Sequence, residues 1–133
     1  MQSTILYDED CGFCRTLLAA FLAWDRHSAL RPVPIGSEEG ARLLAGLSPQ
    51  ERDASWHLVE PDGGRRSAGA AAAPLLRKLP GGMPFAAAAE AAPQATAAAY
   101  RWIARNRTSL GSPIPASIKA RADRRIERRS ATS

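Results

Sequence analysis

The apolar positions fall into two kinds of pattern. Thr4-Ile5-Leu6-Tyr7 is a short run with consecutive apolar residues, which predicts a strand covered on both faces. Asp8, Glu9 and Asp10 follow it and place acid where a helix N-terminus favours it. From Cys11 to Asp25 the period changes. Cys14, Leu17, Leu18, Phe21 and Leu22 recur at i, i+3, i+4, i+7 and i+8, one stripe of an amphipathic helix. That stripe puts Cys14 on the core side and leaves Cys11 at the exposed tip, with Asp10 read as the N-cap.

Leu30 to Ile35 is extended, and Pro32 and Pro34 confine it to an edge or irregular strand. Ser37-Glu38-Glu39 starts a helix with Ala41, Leu43, Leu44 and Leu47 on one face. Ser48-Pro49-Gln50-Glu51 is a second start, a capping box with proline at the first helical position. Ser55 to Val59 predicts a strand, Pro61-Asp62-Gly63-Gly64 a turn, and Arg65-Arg66-Ser67 the returning arm of a hairpin. Ala70 to Leu79 predicts a helix, with Pro74 tolerated if it falls in the first turn.

Pro80-Gly81-Gly82-Met83-Pro84 stops that helix, and the alanine-rich stretch 86–99 fits either a helix or a low-complexity connection. Tyr100, Ile103, Ala104 and Arg107 then share one side of a further helix. Gly111-Ser112-Pro113 ends the domain. Ala116 to Arg129 has only a thin stripe of Ile118, Ala122 and Ile126.

The order β-α-β-α-β-β-α, followed by extra helices, predicts an α/β fold. A right-handed βαβ unit buries a parallel pair between helices, and the later hairpin adds antiparallel strands. The result is a thioredoxin-like, four-stranded mixed sheet flanked by helices. A domain over residues 1–110 and a basic tail over 111–133, helical or disordered, are expected. At 133 residues one domain can bury a core without staples.

Charge sharpens that division. Residues 1–100 carry nine Lys/Arg against eleven Asp/Glu, net −2, whereas residues 101–133 carry nine against two, net +7. The basic excess belongs to the C-terminal end. No aromatic residue lies beyond Trp102 to stack on a base, so a solvated basic face is expected rather than a nucleic-acid site. No secretory leader or membrane-spanning stretch is read, and a cytoplasmic monomer is the expectation.

The chemistry lies in Cys11-Gly12-Phe13-Cys14, which holds the only two cysteines. Two thiols one helical turn apart can bridge. A helix N-terminus offers unpaired N–H groups that favour a thiolate. Cys11 is expected to attack a substrate disulfide and Cys14 to resolve the mixed disulfide. Asp8 is placed to move a proton to or from the resolving thiol. The nearby carboxylates of Asp8 and Asp10 oppose the helix-end effect and bias the pair toward a reductant. Phe13 either meets a partner or packs on the domain.

The run Tyr7-Asp8-Glu9-Asp10-Cys11-Gly12-Phe13-Cys14 closely resembles the opening motif of the DCC family, small proteins described as thiol–disulfide oxidoreductases. Leu58 to Gly63, Ser67 to Ala71 and Tyr100 to Arg107 resemble its later segments, so the similarity spans residues 3–110. The resemblance implies Asp8, Cys11 and Cys14 as active residues, with Tyr7, Asp10, Gly12 and Phe13 in support. It offers Tyr100, Arg105, Asn106 and Arg107 as a substrate-side cluster. It implies no metal or organic cofactor beyond the cysteine pair. The partners would be a disulfide-containing protein or small thiol and an unidentified electron donor. Glu9 departs from the glycine common in the family, and would be strained if the turn required positive φ there.

Two other readings stay open. In one, the domain is a non-enzymatic adaptor with a partner-binding basic tail. In the other, the cysteines ligate zinc: twelve residues separate Cys14 from His27, the spacing of a classical finger, but no second histidine follows within a few positions, so the ligand set stays unclosed and His27 and His57 read as a helix-end and a strand side chain.

Overall fold

The computed structural model describes residues 2–132. Four strands form one mixed sheet in the order β2-β1-β3-β4: β1 is Ser3–Tyr7, β2 Leu30–Pro34, β3 His57–Val59 and β4 Arg65–Ser67. β1 pairs parallel with β2 and antiparallel with β3, and β3 pairs antiparallel with β4. This is a thioredoxin-like α/β arrangement. β1 is central and buried along its whole length. The two prolines of β2 sit on a sheet edge, where a missing N–H costs no ladder bond.

Alternation along β1 sorts the core. Ile5 and Tyr7 face a cluster with Leu18, Leu22, Leu58, Leu75 and Ile126, whereas Leu6 faces Val33, Ile35 and Leu44 on the other side. The first cluster is covered by α1 (Gly12–Trp24), α4 (Ala72–Arg77) and α7 (Ala116–Ala131). The second is covered by residues of and just beyond α2 (Glu38–Leu43).

The capping box at Ser48–Glu51 is formed and starts α3 (Pro49–Ala54). Pro74 lies in the first turn of α4, which follows a 3₁₀ turn over Ala68–Ala71. The alanine-rich stretch is helical throughout, divided into α5 (Met83–Ala91) and α6 (Pro93–Gly111). Pro93 causes the break, since it cannot donate a hydrogen bond back into the preceding turn.

Residues 116–131 form a helix that packs against α1 and β2. Ala122 and Ile126 are buried, but Ile118 points out of the expected stripe and is 44% exposed. Polar contacts complete what the thin stripe lacks. Arg129 donates to the fully buried carboxylate of Asp25 at 2.6 Å, and to the carbonyls of Leu22, Asp25 and Leu30. The same carboxylate accepts the N–H groups of Ala29 and Leu30, which fixes the entry into β2. Arg15 of α1 pairs with Asp123 of α7 at 2.8 Å.

Candidate active site

The site is built where β1 hands over to α1. The expected cap does not form: Asp10 is exposed, and its N–H is turned back to the Asp8 carboxylate. Cys11 is the N-cap, and its Sγ accepts the Cys14 N–H at 3.2 Å. The Asx turn holds Asp10 one residue too early, so the sulfur takes the orphan helix donor. α1 therefore begins at Gly12 rather than Cys11 and ends at Trp24, with Asp25 as C-cap.

Both thiols are free and half-buried. Burial pushes the Cys14 thiol up to about 12. The hydrogen bond with Cys11 and the Cys11 charge push the same way, and Asp8 adds to them, while Arg107 pulls it down. Cys14 is thus held as a thiol.

Glu9 keeps an ordinary backbone; among the described residues, the only non-glycine positions with positive φ are Ser28 and Ala68. Its carboxylate accepts the Gly36 N–H, tying the acidic turn to the chain after β2. Phe13 is half-buried and packs closely on the end of α6. A Cβ added at Gly111 would lie 3.1 Å from the Phe13 nitrogen, so a side chain there would push Phe13 back by a few tenths of an ångström.

Tyr100 and Arg107, two turns apart on α6, face inward toward Cys14 and Asp8. Arg107 pairs with Asp8 at 3.4 Å. The Tyr100 hydroxyl accepts the backbone N–H of Trp56, and its ring stacks on Trp56 at 5.7 Å. Burial raises the Tyr100 pKa. Arg105 is exposed, and Asn106 donates to Trp102 on its own helix, so neither joins the group. Tyr7 is buried below the pair, with its pKa raised by burial and by Glu9.

These side chains border a cavity of about 400 Å³ between α1, α6 and the segment leading into β3. Its wall is almost wholly apolar, and Cys14 lies in it. No local sequence signal announces this cavity, because its wall comes from six separate stretches of chain. Trp56 and Lys119 were missed for the same reason. A Cβ on Gly12 would lie 3.1 Å from Lys119 Cε, so the Lys119 side chain lies over the tip of α1 from the α7 side.

Neither histidine closes a zinc site. His57 is buried, its Nδ1 takes the Ser67 hydroxyl at 2.6 Å, and its Nε2 donates to the Arg52 carbonyl at 3.0 Å. Burial lowers its pKa and keeps it neutral. His27 is exposed at the far end of α1. Among the described residues, the group that gathers metal-ligating atoms is Asp8, Glu9 and Asp10, which does not include the thiols.

A CxxC pair at the first helix of a thioredoxin-like sheet defines a dithiol domain. The family profile of the DCC1-like thiol-disulfide oxidoreductases matches residues 5–112, and the chain belongs to that family. Comparison with curated proteins finds no match, and neither does comparison with solved structures. Helix α7 lies beyond the matched segment. Among the described residues, no helix is long and apolar enough to cross a membrane.

Proposed function

We propose that this protein is a dithiol–disulfide oxidoreductase in which Cys11 attacks and Cys14 resolves. The observation that carries the reading is the Cys14 N–H donated to Cys11 Sγ at the N-terminus of α1. That bond sets Cys11 Sγ at the open end of α1, whereas burial keeps Cys14 protonated until it is needed.

The Cys11 thiolate attacks one sulfur of a substrate disulfide. That S–S bond breaks, a mixed disulfide forms on Cys11, and the first substrate thiol leaves with a proton. Cys14 then loses its proton and attacks Cys11 Sγ, which closes the internal disulfide and releases the second thiol. Asp8 lies close enough to influence Cys14 and is the group assigned to take that proton. Arg107 holds the Asp8 carboxylate in place.

The test is the reduction potential of the Cys11–Cys14 couple, measured by thiol trapping in glutathione and dithiothreitol buffers. A reversible two-electron couple between about −180 and −280 mV supports exchange catalysis. No internal disulfide under any buffer would remove the reading.

A further inference from the structure

We propose that the apolar cavity beside Cys14 is the substrate pocket, and that it selects a small, uncharged disulfide with an apolar body over a polypeptide or a charged disulfide. The proposal rests on the redox reading above and adds the substrate class to it.

Three features of the cavity point to this occupant. Its volume of about 400 Å³ falls within the range of small-molecule sites, about 300–1,000 Å³, and it is walled by apolar and aromatic groups such as Phe21, Leu76 and Ile103. The charged groups in its wall are Asp8 and Arg107, which neutralise one another, so the pocket favours an uncharged guest. Cys14 opens into it, so a body seated there lies beside the resolving thiol, whose own N–H is bonded to Cys11 Sγ.

Two further contacts disfavour a polypeptide. Ser55 and Trp56, just ahead of β3, lie on the cavity wall, and the Trp56 N–H that an extended substrate backbone would need there is already taken by the Tyr100 hydroxyl at 3.0 Å. On the opposite flank the Lys119 side chain lies against Gly12 and narrows that approach.

The experiment compares initial rates of reduction of dibenzyl disulfide, bis(2-hydroxyethyl) disulfide and insulin by the reduced full-length protein. Each rate is divided by that of dithiothreitol to remove intrinsic reactivity. The expected result is at least a tenfold preference for dibenzyl disulfide over the hydroxyethyl compound, with insulin slowest. The unreactive dibenzyl thioether should inhibit competitively. Ala104→Phe, which projects a ring from the cavity wall, should lower the preference at least fivefold.

A normalised preference of one overturns the proposal, as does insulin reduced faster than dibenzyl disulfide, or a thioether without effect. The thioether measurement uses the unsubstituted protein and decides the matter if Ala104→Phe does not fold. If bis(2-hydroxyethyl) disulfide leaves no Cys11–Cys14 disulfide behind, the redox reading itself has failed. If that disulfide forms without apolar preference, only the substrate class has.

Discussion

Arg107 and Asp8, ninety-nine positions apart in the chain, meet at 3.4 Å on the wall of the cavity that holds Cys14. The two act on the thiol in opposite directions: the guanidinium lowers its pKa and the carboxylate raises it. Each also limits the other, since a paired carboxylate is a weaker repelling charge and a paired cation a weaker attracting one.

Removing the cation leaves only the groups that oppose ionisation. Arg107→Ala is expected to slow resolution of the mixed disulfide on Cys11 about tenfold, the equivalent of about one pKa unit. Acid-quenched mass spectrometry over a single turnover reads this directly, as accumulation of the adduct. Resolution at the unsubstituted rate would show that Arg107 does not govern Cys14.

The two cysteines should part cleanly when replaced. Cys14→Ser is expected to trap a stable mixed disulfide with bis(2-hydroxyethyl) disulfide, and Cys11→Ser to form almost none. The ground is that the sulfur at the helix end attacks and the buried one resolves. Intact mass after brief exposure distinguishes them. Equal trapping by both variants would contradict the assignment.

The raised Cys14 pKa has a consequence for stability. The folded state keeps this thiol protonated up to about 12, whereas the unfolded chain ionises near the ordinary value of 9.0. Between those pH values the folded state binds the extra proton, so stability is lost as pH rises through that window and is fully present below it. Urea midpoints under reducing conditions should therefore fall less steeply from pH 8.5 to 10.5 in Cys14→Ser than in the unsubstituted protein. Tyr7, whose pKa is also raised, contributes equally to both proteins, and the part of the Tyr100 rise that comes from Cys14 is lost with the thiol and acts in the same direction. Parallel curves would count against the shift.

The Asp25–Arg129 pair anchors α7. Arg129→Ala leaves a fully buried carboxylate without its cation, and loss of one partner from such a pair costs about 3–5 kcal/mol. Chemical denaturation is expected to show a loss of that order. Asp25→Asn/Arg129→Ala together should recover part of it, because the buried charge is gone. A change below about 0.5 kcal/mol in Arg129→Ala, the size of an ordinary surface substitution, would mean α7 is not held by this contact.

The candidate site was only half legible in the chain. Cys11, Cys14 and Asp8 fall within seven consecutive residues, so spacing alone brought them together. Asp10 misled, because cap preference favours an aspartate before the helix. The Asx turn instead pulled the Asp10 N–H back to Asp8 and left the sulfur of Cys11 as the cap. Tyr100 and Arg107 were separable from Arg105 and Asn106 only by helical phase, and which phase faced the thiols depended on where α6 docked.

What short-range forces govern was legible in the chain: the buried central strand, the proline-bearing edge, the capping box at Ser48, the hairpin turn at Asp62-Gly63 and the placement of a dithiol at a helix start. Each rests on steric preference, hydrogen bonding or periodicity within a few residues. The tertiary structure alone decided the rest. It set Arg129 on Asp25 across 104 positions, Lys119 over Gly12, and Trp56 against Tyr100, and it enclosed an apolar cavity beside Cys14. Those contacts arise where whole elements pack. Packing depends on the shape and burial of surfaces assembled from distant segments, for which no local pattern in the chain exists.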